Sequence, residues 1–224
     1  MSVADVIVEQ EGDWLVARLP GAWRVASWGV VRGGLARADA VAWLGVRGDE
    51  LGLHVDPEAF LRARLDAAGL AGAVGMLTAA RVARYEQSVA RDGDVSARAL
   101  VTVGLTNARR AGDPASAAVT GTINLLVAVS EALSDEAMLE ALGVATEART
   151  VAVLEAGVTS PMSGLPASGT GTDCVVIAAP DGPGARWAGK HTAIGHVVGA
   201  SVLAATRRAT DAWLRRRPPP ASSA

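Results

Sequence analysis

The feature that most constrains this chain is a change of rhythm near its midpoint. Up to about residue 105, short runs rich in β-branched and aromatic residues follow one another with little between them: DWLVARL (13–19), WRVASWGVV (23–31), AVAWLGV (40–46) and, either side of the turn RDGD, VGMLTAARVARYEQSVA and VSARALVTVGL. Gly, Pro and Asp separate these runs, which is the pattern of a sheet with tight connections, and Asp-Gly between two strand-like runs predicts a hairpin. One helix interrupts the strands: DPEAFLRARLDAAGL (56–70) has Pro57 at its start and Gly69 at its stop. After residue 120 the chain alternates instead. GTINLLVAV (121–129) reads as a strand, Ser134 with Asp135 and Glu136 as the capped start of a long helix ending before Gly157, and Cys174–Ala179 as another strand. From Gly189 onward Ile194, Val198, Val202, Ala205 and Ala209 recur at helical spacing. Strands gathered early and strand–helix units late predict an α+β fold: a single layered domain over residues 1–217, mainly antiparallel sheet, with two long helices in the C-terminal half. Residues 218–224, PPPASSA after Arg217, read as a disordered tail.

Composition narrows the function classes. Half of the 224 residues are apolar, enough for a sizeable core, yet the longest apolar runs fall far short of the ~20 residues needed to span a bilayer. The first ten residues carry neither a basic start nor an apolar segment, so a cytoplasmic protein without membrane attachment is expected. A formal net charge of -2 offers no basic face for a phosphate backbone, and nucleic acid is not an expected partner. The arginines of RRATDAWLRRR are explained by a solvated last helical turn, where cations suit the dipole. Cys174 is the single cysteine; within an apolar strand it reads as a small buried hydrophobe, and no thiolate metal site can be built from it.

Three glycine–threonine loops stand at element ends: TGTIN (120–124), SGTGTD (168–173) and AGKHT (188–192). Glycines let backbone approach a ligand, and threonine hydroxyls both donate and accept, so such loops suit polar groups as well as simple turns. GARWAGKHT nearly spells a phosphate-binding loop, but His191 occupies the position of the magnesium-binding hydroxyl and Trp187 crowds the loop, which argues against nucleotide hydrolysis. His191 and His196 are five residues apart, about 140° around a helix, so they do not share a face as two metal ligands would. His54 has no acidic or glycine motif around it and reads as structural or solvated. Glu147, among small residues in mid-helix, needs a partner unless it is simply exposed, and Asp173 at the mouth of a buried strand is either bonded to loop amides or poised for chemistry.

Taken in order, WRVASWGVVRGGLARAD, TVGLTNARRAGD (102–113), GTINLLVAVSEALSDEAMLEALGVATEART (121–150), SGTGTDCVVIAA (168–179) and AGKHTAIGHVVGASV (188–202) resemble the adenosylcobinamide amidohydrolase family. The resemblance runs from about Trp14 to Ala209. It implies hydrolysis of the amide joining aminopropanol to the corrin carboxylate, giving adenosylcobyric acid in cobalamin salvage. A corrinoid would be the partner, and no protein cofactor is expected because cobalt arrives with the substrate. Motif residues carried over are Ser27, Asn107, Asp113, Asn124, Glu147, Thr170, Thr172, Asp173, His191 and Thr192; His196, Lys190 and Ala26 depart from the family pattern.

Amide cleavage needs an attacking oxygen, oxyanion donors worth ~3–4 kcal/mol, and a proton for the departing amine. His191 is assigned as general base then acid, Asp173 as its orienter or as the base for water, and the amides from Gly169 to Thr172 as oxyanion donors. Ser27 or Thr170 is the alternative covalent nucleophile. Asn107, Asp113, Asn124, Glu147, Gly169, Gly171, Thr172 and Thr192 are assigned to substrate binding, with no metal ligands. Alternatives left open are a non-catalytic corrinoid-binding protein and an amidohydrolase of another small amide. A corrin-sized apolar face shared by two subunits would make a homodimer.

Overall fold

The computed structural model describes residues 3–47, 50–52, 54–116 and 120–216. The proposed tail, 218–224, lies outside them. The strands are β1 (Ile7–Glu11), β2 (Trp14–Ser27), β3 (Gly34–Gly45), β4 (Val74–Thr78), β5 (Glu86–Asp92), β6 (Val95–Val103), β7 (Ala108–Arg109), β8 (Ile123–Val129), β9 (Gly169–Thr170) and β10 (Cys174–Ala179). The helices are α1 (Pro57–Ala67), α2 (Asp135–Glu155) and α3 (Ala193–Arg215).

Eight strands form one sheet in the order β4-β3-β2-β10-β8-β6-β5, with β1 added beside β2, while β7 and β9 pair separately. Its ladders are antiparallel except β3 with β4 and β8 with β10. This is the predicted α+β architecture, mainly antiparallel, with its two long helices in the C-terminal half. Every residue of β8 and of β10 is buried, as expected of apolar runs covered on both faces.

Alternation along those strands sorts side chains into layers. Leu125 and Val127 of β8 and Val175 and Ile177 of β10 meet Met138, Ala141 and Ala145 of α2 and Val198, Val202 and Ala205 of α3. The alternate residues Leu126, Val176 and Ala178 face Trp23, Trp43 and Met76 in a second core. A third core joins Leu61 and Leu65 of α1 to Ala40 and Ala42 on the outer side of β3. The second core requires the two halves of the sheet to curl face to face. Asn124 Nδ2 of β8 donates to the Leu77 carbonyl of β4 at 2.8 Å although the two strands are far apart in the sheet order.

β2 makes the crossing. Its residues 14–18 pair with β1 and residues 24–27 with β10, and its register against β3 shifts between Arg18 and Trp23. Pro20 offers no amide to a ladder and Gly21 takes φ 105°, so this is where the strand can bend.

Several sequence expectations shift. The runs 13–19 and 23–31 are one strand that ends at Ser27, and the polar stretch 34–39 extends β3. β1, IVEQE, is too polar to have been read as a strand. VGMLTAARVARYEQSVA is not one strand: it divides into β4 and β5, which occupy opposite edges of the sheet, with a 3₁₀ turn at Val82–Arg84 between them. The RDGD hairpin forms as expected, Asp92 facing Val95 across Gly93 at φ 57°. Among the described residues no helix is long and apolar enough to cross a membrane.

Candidate functional site

The loop 168–173 is built around a buried ion pair. Arg149, on the inward face of α2 and only 7% exposed, reaches the Asp173 carboxylate and donates from Nη1 to the Ser168 carbonyl at 2.9 Å. Asp173 also accepts from the Thr170 hydroxyl, from the Thr170 amide at 3.0 Å and from the Ile123 amide at 2.9 Å. Both oxygens are therefore occupied by protein donors. A side chain at position 169 would collide with the Arg149 guanidinium and with Asp173, which explains Gly169. The loop's acid fastens two strand starts and a helix together, and Arg149, which the sequence reading passed over, is the residue that makes this possible.

Asn107 sits against this loop. A Cβ on Gly171 would lie 2.8 Å from Asn107 Nδ2, and the Gly171 amide donates to the Asn107 carbonyl at 3.2 Å. The Thr172 hydroxyl donates to the Gly121 carbonyl at 3.1 Å, and a Cβ on Gly121 would lie 2.7 Å from the Asn107 amide nitrogen. Asn107, Gly171 and Thr172 line a 270 Å³ cleft together with Arg109, Arg110 and Asp113. Asp113 accepts from the Ser160 hydroxyl at 2.5 Å and from the Arg110 amide at 2.8 Å. The Ser160 bond, then the Arg110 amide and Ser163, hold its carboxyl below the usual aspartate range.

The remaining predicted residues divide between this edge and the exposed groove between α2 and α3. Ser27 is buried at the end of β2, its Oγ accepting from the Gly29 amide at 3.3 Å, and Asn124 is fully buried with its amide spent on Leu77. They flank β10 two residues out of step, facing Val176 and Cys174 respectively. Trp28, 48% exposed, is pinned here because its Nε1 donates to the Asp173 carbonyl at 2.7 Å.

His191, Thr192 and Glu147 are elsewhere. The start of α2 is tied to the segment after β10, with the Ser134 amide on the Ala185 carbonyl at 2.9 Å, and the Ala188 amide donates to Glu140 at 2.7 Å. From there the chain runs back along α2, where Lys190 meets Glu147 two residues before Arg149, so the start of α3 lies beside the middle of α2, on its solvent side.

The expected His191–Asp173 partnership does not form: Asp173 is saturated by Arg149, Thr170 and Ile123, and His191 is exposed without a bond to it. The Thr170 and Gly171 amides, expected as oxyanion donors, are spent on Asp173 and Asn107. Thr170's hydroxyl is likewise engaged by Asp173. Thr192 caps α3, accepting from the Gly195 amide at 3.0 Å and donating to the Gly189 carbonyl at 2.8 Å. Glu147 finds its partner in Lys190 at 2.6 Å, both exposed in the groove between α2 and α3, and His196 Nδ1 lies 3.0 Å from Asp92. Cys174 is buried, and desolvation, then the Asp173 charge, push its thiol up to about 12, so it is no nucleophile near neutral pH. Among the described residues no three His, Cys, Asp or Glu side chains group as a metal site would require.

A family model described as adenosylcobinamide amidohydrolase matches residues 2–218. The adenosylcobinamide amidohydrolase of Halobacterium salinarum is 34% identical over 205 residues, 86% of this chain and 81% of that protein. An uncharacterised protein of Methanocaldococcus jannaschii is 36% identical over 83 residues, 37% of this chain and 32% of that one. Among solved structures, a Burkholderia β-aminopeptidase aligns with a TM-score of 0.43 at 14% identity, covering 91% of this chain and 82% of that chain. A Pyrococcus horikoshii protein aligns with a TM-score of 0.41 at 11% identity, with the same coverages of 91% and 82%.

Proposed function

Because the chain belongs to the adenosylcobinamide amidohydrolase family, we propose that it hydrolyses the linear amide between the aminopropanol arm and the corrin carboxylate of adenosylcobinamide, releasing adenosylcobyric acid. The match over nearly the whole chain is the observation that carries this reading. Water is the second reactant, and the cobalt travels with the corrinoid.

The cleft beside the locked loop is where this chemistry is best served. Within it the Asn107 carboxamide and the exposed Thr172 amide have no hydrogen-bond partner among the described residues, and both are held by a loop that Arg149 and Asp173 keep rigid. Donors fixed before the reaction stabilise a tetrahedral oxyanion without reorganising, typically worth ~3–4 kcal/mol for one donor. In the same cleft Asp113 stays ionised, which suits a carboxylate that orients the attacking water or holds the aminopropanol N–H. Trp28 offers a flat apolar face at the same edge, against which a macrocycle can lie while one arm enters the cleft. His191 has no part in this scheme.

The test is incubation with adenosylcobinamide, with cobyric acid and aminopropanol followed by mass spectrometry. Wild-type protein is expected to yield both; Asn107→Ala should turn over roughly 100-fold or more slowly while binding the corrinoid nearly as well. Corrinoid binding without any product would identify a carrier instead. Full activity in Asn107→Ala would remove this cleft from the mechanism.

A further inference from the structure

On the other side of Gly121 from the cleft lies a groove of 360 Å³, in the usual range for small-ligand sites. Arg81, Arg84 and Arg216 line it, together with Trp213 and Thr106, and no carboxylate does. Like charges gather here against mutual repulsion. Arg216 is held below the usual arginine range, first by desolvation and then by the charges of Arg84 and Arg215, which outweigh the opposing pull of Glu86. None of the ion pairs among the described residues engages Arg81 or Arg84, and Arg216 forms none either.

Local structure aims the first two arginines the same way. They bracket the 3₁₀ turn between β4 and β5, where the Arg84 amide donates to the Arg81 carbonyl at 2.9 Å, and side chains three apart in such a turn eclipse one another. Arg216 arrives from the C-terminal end of α3, where the dipole alone would favour a cation, but that argument does not reach Arg81 or Arg84. Arg81 also lines an adjoining 620 Å³ groove to which Arg47 adds a fourth guanidinium and Asp13 a carboxylate.

We propose that the groove lined by Arg81, Arg84 and Arg216 is a binding site for a phosphate group. Guanidinium forks match phosphate oxygens bidentately, and the Trp213 and Gly121 walls leave room for what the phosphate is attached to. Because Gly121 separates this groove from the cleft of Asn107 and Thr172, the phosphate could be an ester on the hydroxyl of the substrate's own arm, or belong to a separate small molecule bound beside it.

Inorganic pyrophosphate, titrated calorimetrically into the full chain at fixed chloride, is the direct probe and needs no turnover, so it stands or falls apart from the hydrolase reading. Saturable binding that weakens tenfold or more in Arg81→Ala/Arg84→Ala, with an unchanged circular dichroism spectrum, is the expected result. No saturable binding by wild type, or equal binding by the variant, overturns the proposal. Turnover of cobinamide and of its phosphate ester then distinguishes the sources: a kcat/KM loss in the variant confined to the ester assigns the phosphate to the substrate, and equal rates on both assign it to a separate ligand.

Discussion

Replacing Arg149 by methionine should be among the most destabilising single changes this chain can suffer. Its guanidinium and the Asp173 carboxylate are 9% and 8% exposed at the side chain, so the pair is desolvated. Removing one partner of a buried pair leaves an uncompensated charge and typically costs ~3–5 kcal/mol. Asp173 would retain its bonds from Thr170 and the Ile123 amide, which places the expected loss toward the lower half of that range. At ~2–4 °C per kcal/mol for a domain of this size, the melting midpoint should fall by roughly 6–16 °C. Urea titration followed by circular dichroism measures the free energy directly. The double variant Arg149→Met/Asp173→Asn removes both charges and should recover a sizeable part of the loss, giving a coupling of ~2 kcal/mol or more in the four-protein cycle. If Arg149→Met costs under ~1 kcal/mol, the pair is hydrated in solution and the rigidity ascribed to the loop has no basis.

Three further outcomes follow from the geometry. His191→Ala should hydrolyse adenosylcobinamide within about twofold of wild type, since Arg149, Thr170 and Ile123 occupy the Asp173 carboxylate that a catalytic histidine would need; loss of turnover with the fold intact would bring it back into the mechanism. Thr192→Ala removes the cap of α3 and should cost about 1 kcal/mol in denaturant titration without changing KM; no loss would mean the Gly195 amide finds water equally well. Asp113 has a folded pKa depressed below its ordinary 3.8, so the stabilisation it contributes is present above that value and lost as pH falls through the folded one; acid titration of Asp113→Asn should lack that part of the wild-type fall.

Much of the fold was legible because its signals are local. Ser134 caps α2 where its hydroxyl suggests, Pro57 opens α1, and β8 and β10, apolar but for Asn124, fall where continuous runs indicated buried strands. What escaped depends on distant contacts. β1 is polar because it lies on an edge, and nothing in VGMLTAARVARYEQSVA says that its two halves travel to opposite sides of the sheet.

The site shows the same division. The loop 168–173 stood out for its glycines and its acid, but the partner of that acid is set by how α2 crosses β10. Glu147 drew attention because a carboxylate among small residues looks unusual; Arg149, two residues on, is 200° further around the helix and points inward. Helical periodicity could have found it, as an arginine in phase with Ala145, Ala152 and Val153, had a buried cation been considered.

The bent strand β2 has one more consequence. Its first residues are stitched to β1 and its last to β10, with β3 alongside both, so neither leaf of the folded sheet can peel away while the other keeps its ladder. Hydrogen exchange should therefore find amides on both leaves escaping protection together, as one hinge pin holds both covers of a closed book.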